Sequence, residues 1–266
     1  MLYICIMNKK LNILTIGDVH GFDTWRHALD YWRDDVPNRI NDYDYIVFVG
    51  DYVDEFELPD STILKNLMDI IELKKKYSEK IILLWGNHDI QYLKNGNEHR
   101  CSGYRPNMYL QLFQLFTHNS DLFQLAFQID NYLWTHAGIS KGWYIENIKQ
   151  QKYIIRNNRV DKNFLTKEPD DKNLADTLNR MYELHYDNIY QCSFHRGGRF
   201  RISGPLWADK LETYKKPLEG YHQIVGHTRQ KEMKYYNHYK DKNTSIAYVD
   251  YMHIDNYNGY EIEIEL

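Results

Sequence analysis

The chain has 266 residues, of which 26% are charged and 43% hydrophobic, and a formal net charge of -4. That balance belongs to a folded globular chain long enough to bury a substantial core, and it excludes a disordered or collagen-like polymer. No global basic field recruits nucleic acid, and no apolar run reaches the roughly 20 residues that a membrane span requires. Three cysteines, Cys5, Cys101 and Cys192, form no CxxC pair and no disulfide framework, which points to a reducing, cytoplasmic setting. The opening MLYICIM has no basic region before it and no small-residue cleavage site after it, so it does not read as a signal peptide.

The first strand is predicted in LNILTIGDVHGF (residues 11–22), where β-branched Ile13, Thr15 and Ile16 lead to Gly17, Asp18 and His20. Residues 23–32 read as a helix. DYIVFVGD (44–51) repeats the strand pattern, and STILKNLMDIIELKKKY (61–77) has helical spacing with Ser61 as its N-cap. KIILLWGNHD (80–89) is a third strand. Strand, helix, strand, helix, strand describes βαβ units and an α/β sheet. MYLQLFQLFTHN (108–119) is predicted helical, and FQLAFQIDNYLWTHAGIS (123–140) as two strands joined by a polar turn. Residues 141–188 are polar and partly helical, and could cap a site. QIVGHT (223–228) ends another strand, and TSIAYVDYMHIDNYNGYEIEIEL alternates like a closing pair of strands around residues 256–259. With no repeat or Pro/Gly-rich linker, the chain reads as a single domain, 1–266, with a cap-like insertion at 141–200. Among the 24 tyrosines, clusters stand near Tyr235, Tyr236 and Tyr239 and again from Tyr248 to Tyr260, and strand packing explains them better than base stacking.

Five strand ends carry ligand-type residues: Asp18 and His20; Asp51 and Asp54; Asn87, His88 and Asp89; His136; His227. Each alone is an ordinary turn, cap or rim residue. Together, on neighbouring strands, their C-terminal ends would converge on one spot, where α/β folds place their chemistry. Carboxylate, imidazole and amide donors without cysteine suit hard-to-borderline divalent ions. Packed there without a cation, such groups would cost several kcal/mol per unpaired charge.

GDVHG, GDYVD, GNHD, HAG and GHT, in that order, resemble the calcineurin-like metallophosphoesterase superfamily. The branch they look most like is that of the phosphoprotein phosphatases, which includes bacterial and phage serine/threonine phosphatases and diadenosine tetraphosphatases. The resemblance implies a four-layer αββα sandwich of two mixed sheets flanked by helices, with a binuclear centre at the strand ends. It implies that Asp18 and His20 hold a first metal, that Asp51 bridges, and that Asn87, His136 and His227 complete a second. His88, oriented by Asp54, would then donate a proton to the leaving oxygen while hydroxide attacks in line. Manganese is the expected ion, with iron and zinc as alternatives.

The resemblance breaks where the branch continues GDxVDRG: this chain has Glu55 and Phe56, and Trp85 stands where RGNHE carries arginine. A carboxylate cannot replace a bidentate guanidinium. Substitute arginines are sought in HRGGRFR (195–201), as Arg196, Arg199 and Arg201, and in Arg229 after GHT. Three functions stay open: a serine/threonine-type protein phosphatase; a nucleotide-directed phosphoesterase acting on a dinucleoside polyphosphate, a cyclic nucleotide or an RNA end; and a catalytically silent binding scaffold. The substrate is accordingly a phosphorylated protein or a nucleotide.

Overall fold

A first strand that is apolar on both faces needs cover on both, and this decides the layering. In the computed structural model, which describes residues 9–30, 38–93, 100–150, 173–239, 243–251 and 259–266, β1 (Lys10–Ile16) sends Leu11 and Ile13 into one core and Leu14 and Ile16 into another. β1 runs parallel to β2 (Tyr45–Phe48), β2 to β3 (Ile81–Leu84) and β3 to β4 (Phe123–Gln124). The last strand, β10 (Tyr260–Glu265), closes this sheet antiparallel to β1, with Lys10 opposite Glu265.

The second sheet contains β5 (Ala126–Ile129), β6 (Tyr132–Thr135), β7 (His222–Val225), β8 (Lys234–Tyr239) and β9 (Thr244–Tyr248), ordered β5-β6-β7-β9-β8. β6, β7 and β9 are parallel, and the two edge strands are antiparallel to their neighbours. Leu11, Ile13, Val47, Val49 and Leu84 of the first sheet meet Ile129, Trp134, Ile224 and Ala247 of the second. The Trp134 indole N–H crosses this apolar layer to donate to Thr15 Oγ1 at 2.9 Å. On the outer side of the first sheet the helix Asp60–Lys76 buries Ile63, Leu67 and Ile70 against Phe48 and Leu83. Two mixed sheets flanked by helices result, the expected architecture.

Several local expectations change. The helix of 61–77 begins one residue earlier: Pro59 occupies the cap position without a side-chain bond, and Ser61 lies in the first turn. Asp60 instead meets the helix N-terminus with its charge, which the macrodipole favours. The helix of 23–32 contracts to Trp25–Ala28, with residues 31–37 outside the described ones. Phe123–Gln124 and Ala126–Ile129 belong to different sheets, and the chain crosses between them at Leu125. Asn179, on the helix Leu174–Glu183, holds that crossing by accepting from the Leu125 and Ala126 amides at 2.8 and 2.9 Å. The closing strands do not pair with each other: β9 lies in the second sheet and β10 returns to the first, while residues 252–258 lie outside the described ones. Much of the expected insertion at 141–200, residues 151–172, also lies outside them. Among the described residues, no helix is long and apolar enough to cross a membrane.

Trp85 is core rather than pocket. It is fully buried, stacks on Phe123 with ring centroids 4.4 Å apart, and meets Phe116 edge-on at 5.5 Å. The residue that replaces a family arginine therefore fills the helix-side core behind the site. Trp85→Ala should destabilise the protein by about 3–5 kcal/mol, the usual cost of deleting a buried large aromatic. Urea unfolding followed by far-UV circular dichroism measures it, and a loss below about 1 kcal/mol would show the ring to be dispensable to the core.

Candidate functional site

The loops that follow β1, β2, β3, β6 and β7 meet at one end of the sandwich. They line a cavity of about 610 Å³ that includes Asp18, His20, Asp51, Asp54, Asn87, His88 and His227. His136, fully buried, lies beneath its floor and reaches Asn87 Oδ1 with Nε2 at 2.7 Å. All eight predicted ligand and acid-pair residues thus gather at this end. The backbone there is unusual, because His20, Asp51, Asp54 and His227 all have positive φ, from 44° to 74°. For residues with a Cβ, such conformations cost about 1–3 kcal/mol each and persist only where the surroundings impose them.

What imposes them is a set of backbone bonds. The amides of Val19 and His20 both donate to the Asp51 carbonyl, at 3.0 and 2.7 Å, and Gly21 donates to that of Tyr52 at 2.9 Å. Asp89 ties the second loop to the third. Its carboxylate accepts from the amides of Asp51 at 2.9 Å, Tyr52 at 2.8 Å and Gly86 at 2.9 Å. Asp89 is fully buried, and burial, followed by the Asp51 charge, pushes its pKa up to about 7. The sequence grouped Asp89 with ligand-type residues; its three amide bonds give it a structural task instead.

Two glycines admit the carboxylates. A Cβ on Gly226 would sit 1.9 Å from Asp18 Oδ1, and one on Gly86 would sit 2.2 Å from Asp51 Oδ1. The Asp18 carboxylate accepts from the His227 amide at 2.9 and 3.0 Å, and that of Asp51 accepts from the His88 amide at 2.9 Å.

The donor atoms fit divalent cations. His20, Asp51 and His88 place one donor each within 4.8 Å of one another, as do Asp51, His136 and His227, so Asp51 belongs to both groups. His136 Nδ1 lies 2.8 Å from the Val49 carbonyl and His20 Nδ1 lies 3.0 Å from that of Val53. A carbonyl can only accept, so both Nδ1 atoms carry the proton, and a neutral ring leaves Nε2 with a lone pair. At His136 that lone pair faces Asn87 Oδ1 and, at 3.4 Å, Asp51 Oδ2. His227 Nδ1, 3.1 Å away, can donate to it, and a cation bound there would satisfy the two oxygens as well. His227 Nε2 is buried with no hydrogen-bond partner among the described residues, a further position suited to a metal bond.

The charges agree with that fit. Burial, then the neighbouring carboxylates of Asp250 and Asp51, push Asp18 well above the carboxylate range. Asp51 is held well below it: burial opposes ionisation, but His136, His88 and His20 surround it. Burial, with His136 and Arg196 beside it, lowers His227 well below the usual imidazole value, which leaves the ring neutral as a metal ligand must be. Asp250, two residues past β9, lines the same cavity, and its pKa is raised to about 7, first by burial and then by Asp51.

Beside the donors stands the predicted acid pair. His88 Nδ1 lies 3.1 Å from Asp54 Oδ2, and the Gln91 amide and Tyr92 hydroxyl also donate to the Asp54 carboxylate. Despite burial, the carboxylates of Asp51 and Asp54 raise the His88 pKa.

The candidate arginines separate. Arg196 and Arg229 line the cavity. Arg196 pairs with Asp209 at 2.8 Å and donates to Thr228 Oγ1 at 2.6 Å. Arg199 and Arg201 are not among the lining residues: Arg201 pairs with Glu146 at 2.9 Å on the exposed surface, and Arg199 lies 5.4 Å from the Phe200 ring. Their proximity in sequence misled because the turn at Gly197 and Gly198 directs only Arg196 inward. Glu55 and Phe56 line the mouth, and so does Arg100, which no motif marked.

Asp89→Asn keeps the size of the side chain but replaces one acceptor oxygen by a donor, so at least one of the three amides it holds loses its partner. Manganese affinity should fall about 10–100-fold, as it does for outer-shell changes elsewhere. Titration calorimetry reads this, and wild-type affinity would deny Asp89 its part in placing Asp51.

Comparison with known proteins agrees with this geometry. The model of the calcineurin-like phosphoesterase family matches residues 11–229. No curated protein matches the sequence. Among solved structures, a cold-active protein tyrosine phosphatase is 18% identical, with a TM-score of 0.50, over 97% of this chain and 74% of its own. The cold-active protein-tyrosine phosphatase of a psychrophilic Shewanella is also 18% identical, with a TM-score of 0.49, over 97% and 76%. A Saccharomyces cerevisiae serine/threonine phosphatase is 17% identical, with a TM-score of 0.43, over 91% and 66%. At such identities the likeness is one of fold.

Proposed function

The chain belongs to the calcineurin-like phosphoesterase family, and on that premise we propose that it is a metal-dependent phosphomonoesterase acting on phosphorylated protein side chains. The observation that carries the reading is the place of Asp51 in two donor groups, His20–Asp51–His88 and Asp51–His136–His227, with His88 also paired to Asp54. In this reading Asp18, His20 and Asp51 hold one divalent ion, and Asp51, Asn87, His136 and His227 hold the other. The oxygen and nitrogen donors suit manganese, with iron or zinc as alternatives. Two such ions, when bound, polarise phosphoryl oxygens and bring the pKa of a water toward neutrality.

The chain's own residues do the rest. Asp54 accepts from His88 Nδ1, so the ring presents Nε2 as its free edge. Against burial, the carboxylates of Asp51 and Asp54 raise its pKa, which favours a proton on that edge and suits a proton donor to the leaving oxygen. Gln91 and Tyr92 hold the Asp54 carboxylate, which prevents it from turning away from the imidazole. Arg196, fixed by Asp209 and Thr228, offers positive charge at the cavity wall.

Trp85, buried in the core, offers no stacking face to a base, and Tyr236 packs against Tyr214 and Tyr248. A silent scaffold would have no use for an intact donor set and acid pair.

The test is a hydrolysis panel with manganese-loaded protein and the His88→Asn variant as blank. Phosphothreonine and phosphotyrosine peptides, diadenosine tetraphosphate, a cyclic dinucleotide and bis-p-nitrophenyl phosphate are compared. Peptide turnover above the others is expected; preference for a dinucleotide or diester would overturn the monoesterase reading. His88→Asn should keep its metal content and lose about 10²–10⁴-fold in kcat, the usual contribution of a general acid. Unchanged turnover would remove His88 from the reaction.

A further inference from the structure

The cavity has an anion-binding deficit that the family motif would ordinarily fill. Five carboxylates line it, from Asp18, Asp51, Asp54, Glu55 and Asp250, against three guanidinium groups, from Arg100, Arg196 and Arg229. Glu55 stands where the phosphatase branch carries its arginine. Of the three guanidinium groups, Arg196 already pairs with Asp209 and donates to Thr228. Arg229 lies near enough to Asp250 to lower its pKa. Arg100 makes no ion pair or hydrogen bond among the described residues; its guanidinium carbon lies 4.4 Å from the centre of the Tyr104 ring.

That placement is built on the same scaffold as the acid pair. Tyr104 stacks on Tyr92, with centroids 5.2 Å apart and planes at 23°, and the Tyr92 hydroxyl donates to Asp54. Cys101, the next residue, is buried and doubly held. Its amide donates to Gln91 Oε1 at 2.9 Å, and its sulfur accepts from Asn87 Nδ2 at 3.0 Å. Gln91 in turn donates to Asp54. The backbone at Arg100 is therefore indexed to Asn87 and Asp54 through Cys101. Stacking on an aromatic ring covers one face of a guanidinium and leaves its N–H edges open, the edges that match phosphate oxygens in pairs.

We propose that Arg100, backed by Tyr104, is the substrate-binding arginine of this site and takes two non-bridging oxygens of the substrate's phosphoryl group. It supplies from the loop after β3 the charge that Glu55 removes from the loop after β2. The inference rests on the phosphoesterase reading for the identity of the substrate, and on the geometry of Arg100 for the contact. Tyr104 acts through Arg100, as a positioning residue.

The experiment measures KM and kcat for p-nitrophenyl phosphate, and the Kd of inorganic phosphate by calorimetry, on manganese-loaded wild type, Arg100→Ala, Arg100→Lys and Tyr104→Leu. Arg199→Ala, outside the cavity, controls for the loss of a surface charge. For Arg100→Ala, KM and the phosphate Kd should rise about 10–100-fold, as expected for a lost charge-assisted pair, with kcat and manganese content little changed. Lysine should restore only part, because it lacks the fork. Tyr104→Leu should shift both constants in the same direction by less. Values for Arg100→Ala within about twofold of wild type, or matched by Arg199→Ala, would overturn the assignment. A wild type silent toward every ester would sink the phosphoesterase reading alone, and the phosphate titration would then decide Arg100 by itself.

Discussion

One buried carboxylate, Asp51, sets the terms for everything around it. It is almost fully enclosed, sits at a left-handed backbone position, and lies among the imidazoles of His20, His88 and His136. An ion in that position is tolerable only when opposite charge and hydrogen bonds replace lost water. The fold supplies them from every neighbouring loop. The His88 amide meets the carboxylate, Asp89 holds the Asp51 amide, and the Asp51 carbonyl accepts two amides from the first loop. One residue is thereby tied to three loops at once, so a change at Asp51 reaches all of them.

The same constraint explains the glycines and the strained residues. Carboxylates pack against Gly86 and Gly226 at distances that no Cβ allows. Four residues at the candidate site, His20, Asp51, Asp54 and His227, have positive φ because the strands end abruptly and their loops must turn back over the sheet edge at once. Local strain of this kind is maintained by the core beneath. Trp85, Phe116 and Phe123 pack directly behind the third loop, so the tryptophan that breaks the family pattern reinforces the platform.

The acidic substitution at Glu55 has a structural context of its own. Arg105 donates to the Glu55 and Leu58 carbonyls and pairs with Asp60, fixing the loop that carries Glu55 and the exposed Phe56. Arg105 and Arg100 flank the turn at Gly103, whose backbone lies close under the Asp54 carbonyl. The departure at Glu55 and the placement of Arg100 therefore occur on two loops that touch each other beside the acid pair.

The metal-type residues were legible in the sequence because strands end where their apolar runs end, and residues just beyond parallel strands share one rim. The positions of Asp18, His20, Asp51, Asn87, His136 and His227 followed from that rule and from the order of the family motifs. What neighbouring residues in the chain do was less legible. Whether Trp85 faces substrate or core depends on which side of β3 the helices cover. Whether Arg196 or Arg201 faces the cavity depends on a glycine turn, and Arg100 comes close only through the bonds of Cys101 and Tyr104. Sequence alone determined the donor types and the strand ends that bear them, since composition and hydrophobic period are local properties. Only the tertiary structure decided which charges meet, because side chains far apart in the chain face one another only after the two sheets have packed.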